Sequence, residues 1–286
     1  MNFSPTPKNT NMTLTTTQPP TTILWLTDIH LDRAKREDTE RLLGKISKIE
    51  YGALIITGDI STAPFLAGHL RELAGSCAPR NLYFVAGNHD YHHGSIESVD
   101  REIASVCRSV KNLHHLRGDE IIPLSQNTAL VGHRGWADAR AGWGRQTIIG
   151  SRDHRNINDF RTLTRAELFA KMESLGKESA TAFRRTLPFA LGRFRHVVVA
   201  THVPPFPDTA LFNTQCCGPA HQPHFINLST GMALVGITRN FPHRQVTVLS
   251  GHTHSPATIR ILTNLEARVG GAQTGNPGIQ DVLEFS

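Results

Sequence analysis

The sequence predicts an α/β domain built in layers. Five short runs rich in Val, Ile and Leu are each followed at once by polar residues, and segments with helical spacing of apolar residues lie between them. Such runs are typical of strands buried on both faces, and their alternation with helices is typical of a layered α/β architecture. The predicted strands span residues 23–27, 53–57, 82–86, 196–201 and 246–250.

The helices and a second sheet are predicted from spacing and turn residues. Residues 42–49 and 96–110 each carry one amphipathic face with apolar side chains three and four apart. Thr164 and Glu167 have the spacing of a capping box that opens a helix. Short strands separated by turns are expected within 113–136 and at 257–262, 266–272 and 280–285. We expect these strands to form a second sheet packed against the first.

The N-terminal residues predict a disordered tail. Residues 1–22 contain eight Thr, four Pro and a single charge, Lys8, so they cannot bury a core. The segment lacks the basic and apolar regions of a secretory signal. We therefore assign residues 1–21 to a tail and residues 22–286 to one domain; whether translation starts at Met1 or Met12 stays open.

The composition restricts the partners and the compartment. The 286 residues carry a formal net charge of +6, which favours anionic partners; nucleic acid is compatible with this charge but is not indicated by it. No apolar run reaches the roughly 18 residues of a membrane-spanning helix. Four cysteines do not suggest a disulfide scaffold, so we expect a cytoplasmic protein. The sequence does not predict the oligomeric state.

Seven side chains at the ends of the predicted strands have the chemistry of metal ligands. In layered α/β proteins ligands bind beyond the carboxyl ends of the strands. Oxygen and imidazole donors without a thiolate suit Mn, Fe or Zn. Seven donors exceed one tetrahedral site and suit two divalent ions that share a carboxylate, for which Asp59 is the natural candidate. The set comprises Asp28, His30, Asp59, Asn88, His202, His252 and His254.

The positive charge of two such ions exceeds the negative charge of two carboxylates and a hydroxide. The site would therefore be net positive and would attract a small anionic phosphate ester. A metal pair clamps the phosphate and activates a hydroxide for attack at phosphorus. His89 follows Asn88 directly and is a candidate proton donor for the leaving group. The alternative, that His89 only binds the phosphate, stays open. Asp90 is predicted to orient the His89 ring.

Five sequence blocks resemble the signature of calcineurin-like metallophosphoesterases, in the order of that family. The blocks are Asp28-Ile29-His30, Gly58-Asp59, Gly87-Asn88-His89-Asp90, His202 and Gly251-His252-Thr253-His254. The resemblance implies a four-layer α/β sandwich, in which two mixed β-sheets pack face to face and helices flank them. It also implies a dinuclear metal centre and hydrolysis of phosphomonoesters or phosphodiesters.

The resemblance further implies a division of the ligands, with His89 as proton donor. One metal would be held by Asp28, His30, Asp59 and His254, and the other by Asp59, Asn88, His202 and His252. The residues after Asp59 depart from the protein Ser/Thr phosphatases, and Thr62 stands where purple acid phosphatases have a ligand Tyr. The motifs resemble bacterial stand-alone members, whose substrate is not implied.

Several alternatives remain at this stage. A phosphodiesterase or nuclease is the alternative to a monoesterase, and a metal-binding scaffold is the alternative to an enzyme. The arginine-rich stretch 134–165 is predicted to be a solvated surface loop rather than a lid over the substrate. Cys216, Cys217, His221 and His224 lack the usual spacing of zinc ligands, which favours a Pro-rich loop.

Overall fold

The computed structural model describes residues 21–212 and 215–285. Of the predicted tail, residues 1–20 lie outside the described residues, and Thr21 is already the first residue of a strand. No helix in the described part of the chain combines the length and the apolar character needed to cross a bilayer.

The first sheet has five strands in the order β13-β1-β2-β3-β4. Strands β1 to β4 run parallel, and β13 pairs antiparallel with β1, so the sheet is mixed. The strands are β1 (Thr21–Leu26), β2 (Ala53–Thr57), β3 (Asn81–Val85), β4 (Leu113–His115) and β13 (Asp281–Phe285).

The second sheet has six strands in the order β11-β12-β10-β7-β6-β5, with antiparallel pairs at both edges. Its strands are β5 (Ile122–Pro123), β6 (Thr128–Gly132), β7 (His196–Ala200), β10 (Gln245–Ser250), β11 (Ala257–Leu262) and β12 (Leu265–Val269). Two short strands, β8 (Leu211–Phe212) and β9 (Gln215–Cys216), pair antiparallel with each other and belong to neither of the two large sheets.

Alternation along the strands produces the layers. Ile23 and Trp25 face the second sheet, whereas Leu24 and Leu26 pack against helices, because successive side chains of a strand point to opposite faces. The helices on the first side are α1 (Arg36–Lys48), α2 (Ala63–Cys77) and α3 (Ile96–Ser109). The remaining helices are α4 (Asp153–Asn156), α5 (Arg165–Arg193) and α6 (Leu228–Thr238), of which α5 and α6 contribute to the core over the second sheet. The predicted class, two mixed sheets flanked by helices, is confirmed.

The distribution of strands between the sheets differs in part from the prediction. Strand β4, expected in the second sheet, pairs with β3, and the C-terminal β13 pairs with β1. Strand pairing is a contact between distant segments, and hydrophobic periodicity reports only the faces of each strand. The predicted capping box is present, since the Thr164 hydroxyl accepts from the amide of Glu167 at the start of α5.

Candidate metal centre

The structure brings all seven predicted donors to one place at the carboxyl ends of five strands. Each donor follows the last residue of its strand by two to four positions, in loops after β1, β2, β3, β7 and β10. These strands belong to both sheets, so the site straddles the sandwich. His202 is fully buried.

The backbone of this site is held in an uncommon conformation. Five of the seven donors have a positive φ: Asp28 (49°), His30 (39°), Asp59 (52°), His252 (71°) and His254 (58°). Left-handed backbone in non-glycine residues costs on the order of 1–3 kcal/mol each and concentrates at functional sites. Hydrogen bonds between loops maintain it, for example from the amide of Asp28 to the carbonyl of Gly58 at 3.0 Å.

Two glycines permit the close approach of the loops. A Cβ at Gly87 would collide with the carboxylate and amide of Asp59, and a Cβ at Gly251 would collide with the carboxylate of Asp28. The glycines of the sequence blocks therefore leave room for the two carboxylates.

The first group of donors consists of two carboxylates and two imidazoles whose ligand atoms all lie within 4.8 Å of one another. His254 Nε2 is 3.3 Å from Asp28 Oδ1 and 3.1 Å from His30 Nε2, and His30 Nε2 is 3.8 Å from Asp59 Oδ2. Asp28 and Asp59 are at most 3% exposed. Buried carboxylates need a compensating positive charge, so this group fits a cation. The four residues are Asp28, His30, Asp59 and His254.

The second group of donors consists of Asn88, His202 and His252, and their lone pairs point towards one another. His202 Nδ1 lies 2.8 Å from the carbonyl of Thr57, and donation there leaves the lone pair of Nε2 facing Asn88 Oδ1 at 2.9 Å. His252 Nε2 lies 2.9 Å from the carbonyl of His224, which leaves Nδ1 facing the same Asn88 oxygen at 2.9 Å. Acceptors that point at one another in this way suit a bound cation.

In the absence of a metal ion, Asp59 and His202 stabilise each other's charged form. Burial would raise the pKa of Asp59, but His202 and His89 hold it well below its usual value. Burial would lower the pKa of His202, but Asp59 raises it to about 10. The buried carboxylates thus draw a positive charge into the site, either a proton on His202 or a metal ion, and metal binding would displace that proton.

Comparison with known proteins agrees with this geometry. Residues 21–256 match the family model described as calcineurin-like phosphoesterase. The chain belongs to the calcineurin-like phosphoesterase family. No curated protein sequence matches it. Among solved structures, it is similar to a dimetal phosphatase from Danio rerio at 16% identity and a TM-score of 0.55, covering 89% of this chain and 88% of that one. It is also similar to the protein TT1561 of Thermus thermophilus at 12% identity and a TM-score of 0.53, covering 88% and 89% of the two chains.

In this phosphoesterase, His89 lies at the rim of the first group. Its ring packs edge-on against His30 with centroids 4.8 Å apart, and its Nε2 is 4.0 Å from Asp59 Oδ2. Arg33 Nη2 is 3.0 Å from His89 Nδ1, so Nδ1 accepts and the neutral ring carries its proton on Nε2. Burial lowers the pKa of His89 to about 4, against the opposing effect of Asp59.

The predicted contact between Asp90 and the His89 ring is wrong. The two carboxylate oxygens of Asp90 accept from the amides of Ser61 and Gly87, each at 2.8 Å. Asp90 lies in a 3₁₀ turn (His89–Tyr91) that directs the two neighbouring side chains to different places. Asp90 thus connects the loops after β2 and β3, and Arg33 makes the contact with His89.

Three contacts of this phosphoesterase's site were not predicted from the sequence. Arg33 contacts His89, Asp153 contacts Asn88, and the carbonyl of His224 accepts from His252. His224 belongs to the predicted Pro-rich loop, which therefore reaches the site through its backbone. Asp153 lies in the arginine-rich stretch 134–165, so this part of the stretch is not a solvated surface loop.

Proposed function

We propose that the protein is a metal-dependent phosphoric ester hydrolase with a dinuclear centre. The supporting observation is the convergence of two carboxylates, four imidazoles and one amide at one point between the sheets. Neighbouring carbonyl and carboxylate groups orient three of these side chains, His202, His252 and Asn88. The oxygen and imidazole donors suit Mn, Fe or Zn. Membership of the calcineurin-like phosphoesterase family supports the same chemistry.

The residues divide into two sets that share Asp59. When bound, two divalent ions would supply positive charge to the phosphate oxygens and lower the pKa of water towards 7, so that hydroxide is available near neutral pH. The first ion would be held by Asp28, His30, Asp59 and His254, and the second by Asp59, Asn88, His202 and His252.

His89 would act on the leaving group. Arg33 fixes the tautomer that presents Nε2–H on the side of Asp59, towards the proposed metal pair. A bound phosphate dianion beside the ring would raise the low pKa of His89, so that the ring takes up a second proton at Nδ1 and gives up the hydrogen bond from Arg33. The imidazolium would then give its Nε2 proton to the departing oxygen and return to a neutral ring. The competing role, binding of phosphate without proton transfer, predicts a different dependence on the leaving group.

A comparison of two substrates tests the proposal and separates monoesterase from diesterase activity. Protein loaded with Mn²⁺, Zn²⁺ or Fe²⁺ is assayed with p-nitrophenyl phosphate and with bis-p-nitrophenyl phosphate. We expect metal-dependent turnover of at least one of them, and the ratio of the two kcat/KM values assigns the ester class. Bound metal without turnover of either ester would favour the scaffold alternative. The complete donor set and the placement of His89 support an enzyme.

A further inference from the structure

Asp153 is held beside the candidate metal centre by side chains from two parts of the chain. Its Oδ1 accepts from Asn88 Nδ2 at 2.9 Å and from His92 Nε2 at 2.7 Å, and its Oδ2 accepts from the hydroxyl of Ser151 at 3.0 Å. The Asp153 side chain is 14% exposed. A carboxylate with three hydrogen-bonded donors at such a depth has a defined orientation.

The contact with Asp153 determines the orientation of the Asn88 side-chain amide. An amide side chain can turn by 180° and exchange its oxygen for its NH₂ group at little steric cost. Asp153 only accepts hydrogen bonds, so it selects the orientation in which Nδ2 points towards it. Asn88 Oδ1 then faces His202 and His252 at 2.9 Å each. The opposite orientation would place an NH₂ group where a cation needs an oxygen.

We propose that Asp153 is a positioning residue that keeps the amide oxygen of Asn88 directed at the second metal ion. This inference rests on the proposed function. It makes the segment at 151–153 part of the metal centre, although that segment lies 65 residues beyond Asn88 in the chain. A carboxylate behind a ligand typically changes metal affinity by about 10- to 100-fold.

A double-mutant cycle on metal affinity tests the proposal. Mn²⁺ binding is measured by calorimetry for the wild type, N88A, D153A and N88A/D153A. We expect D153A to bind one ion as the wild type does and to bind the other about 10- to 100-fold more weakly. In the N88A background, D153A should have no further effect, because Asp153 acts through Asn88. Equal weakening by D153A in both backgrounds would overturn the proposal.

Two further variants separate positioning from simple anchoring of the segment. D153N keeps one acceptor oxygen for Asn88, so it should lose less affinity than D153A. The matched control is D159N, because Asp159 lies in the same stretch 134–165, attaches it to the start of α3 by accepting from the amide of Ile96 at 2.8 Å, and makes no hydrogen bond to Asn88. We expect D159N to bind both ions like the wild type. A loss in D159N equal to that in D153A would contradict the positioning role.

The outcomes also distinguish this proposal from the proposed function. If the wild type binds fewer than two ions per chain, the dinuclear centre itself is wrong. If the wild type binds two ions and D153A binds both with unchanged affinity, only the role of Asp153 is wrong.

Discussion

Asp59 and His202 lie in loops that follow strands of different sheets, yet Asp59 Oδ1 is 3.3 Å from His202 Nε2. Their strands, β2 and β7, lie within opposite layers of the sandwich, and both side chains are buried. The candidate metal centre thus depends on how the two sheets pack, because neither sheet alone supplies both sets of donors.

Replacement of His89 tests its role as proton donor. H89A should keep the metal content of the wild type and lose about 10²- to 10⁴-fold in kcat, which is the usual contribution of a general acid. The loss should be larger for phenyl phosphate than for p-nitrophenyl phosphate, because phenoxide is the poorer leaving group and needs the proton more. Equal losses for both substrates would indicate phosphate binding without proton transfer.

Removal of Arg33 should reduce turnover through His89. R33A removes the donor that orients the His89 ring in its neutral state, so we expect a fall of roughly 10-fold in kcat, smaller than that of H89A. The matched control is R36A, since Arg36 is exposed and pairs with Glu40 and Glu72 away from the site. If R33A has no effect in the H89A background, Arg33 acts through His89; a further loss there would mean that it contacts the substrate independently.

His115 should make the fold less stable in acid. Its ring stacks on Phe84, its Nε2 is buried without a hydrogen-bond partner, and burial lowers its pKa to about 3. In the unfolded chain His115 has an ordinary pKa near 6.5. Between pH 6.5 and about pH 3, His115 therefore binds a proton in the unfolded chain but not in the folded chain. The free energy of unfolding is unaffected above this range and falls by up to about 1.4 kcal/mol for each pH unit as the pH drops through it.

Denaturant unfolding at pH 7.5 and 5.5 measures this effect. H115Q should lose about 1 kcal/mol less than the wild type on going to the lower pH. H114Q is the matched control, because His114 is the neighbouring residue on the other face of β4 and stacks on Tyr83. The same pH dependence in H115Q and the wild type would contradict the assignment.

The convergence of the seven donors was predictable because the signal is local. Each donor stands just beyond a buried strand, and parallel strands bring their carboxyl ends together. The contacts of Asp153 and Arg33 depend on tertiary packing, which places an arginine-rich segment against Asn88 and a loop residue against His89. A backbone carbonyl such as that of His224 has no residue-type signal at all.

Adjacency in the chain was misleading at Asp90. The residue next to His89 was predicted to orient its ring, but the 3₁₀ turn directs the Asp90 carboxylate towards the amides of Ser61 and Gly87. The direction of a side chain in a tight turn depends on the backbone angles, and the sequence block does not specify them.

The number of divalent ions bound per chain, in the wild type and in D59N, tests the central claim most directly. Asp59 is the carboxylate that both donor groups share, so its replacement should weaken both sites and lower turnover by at least about 10²-fold. Asp119 is exposed, and D119N serves as the control. Elemental analysis after loading with Mn²⁺ should find two ions per chain in the wild type and D119N and fewer than one in D59N. Two ions retained in D59N, or none in the wild type, would contradict a dinuclear centre built around Asp59.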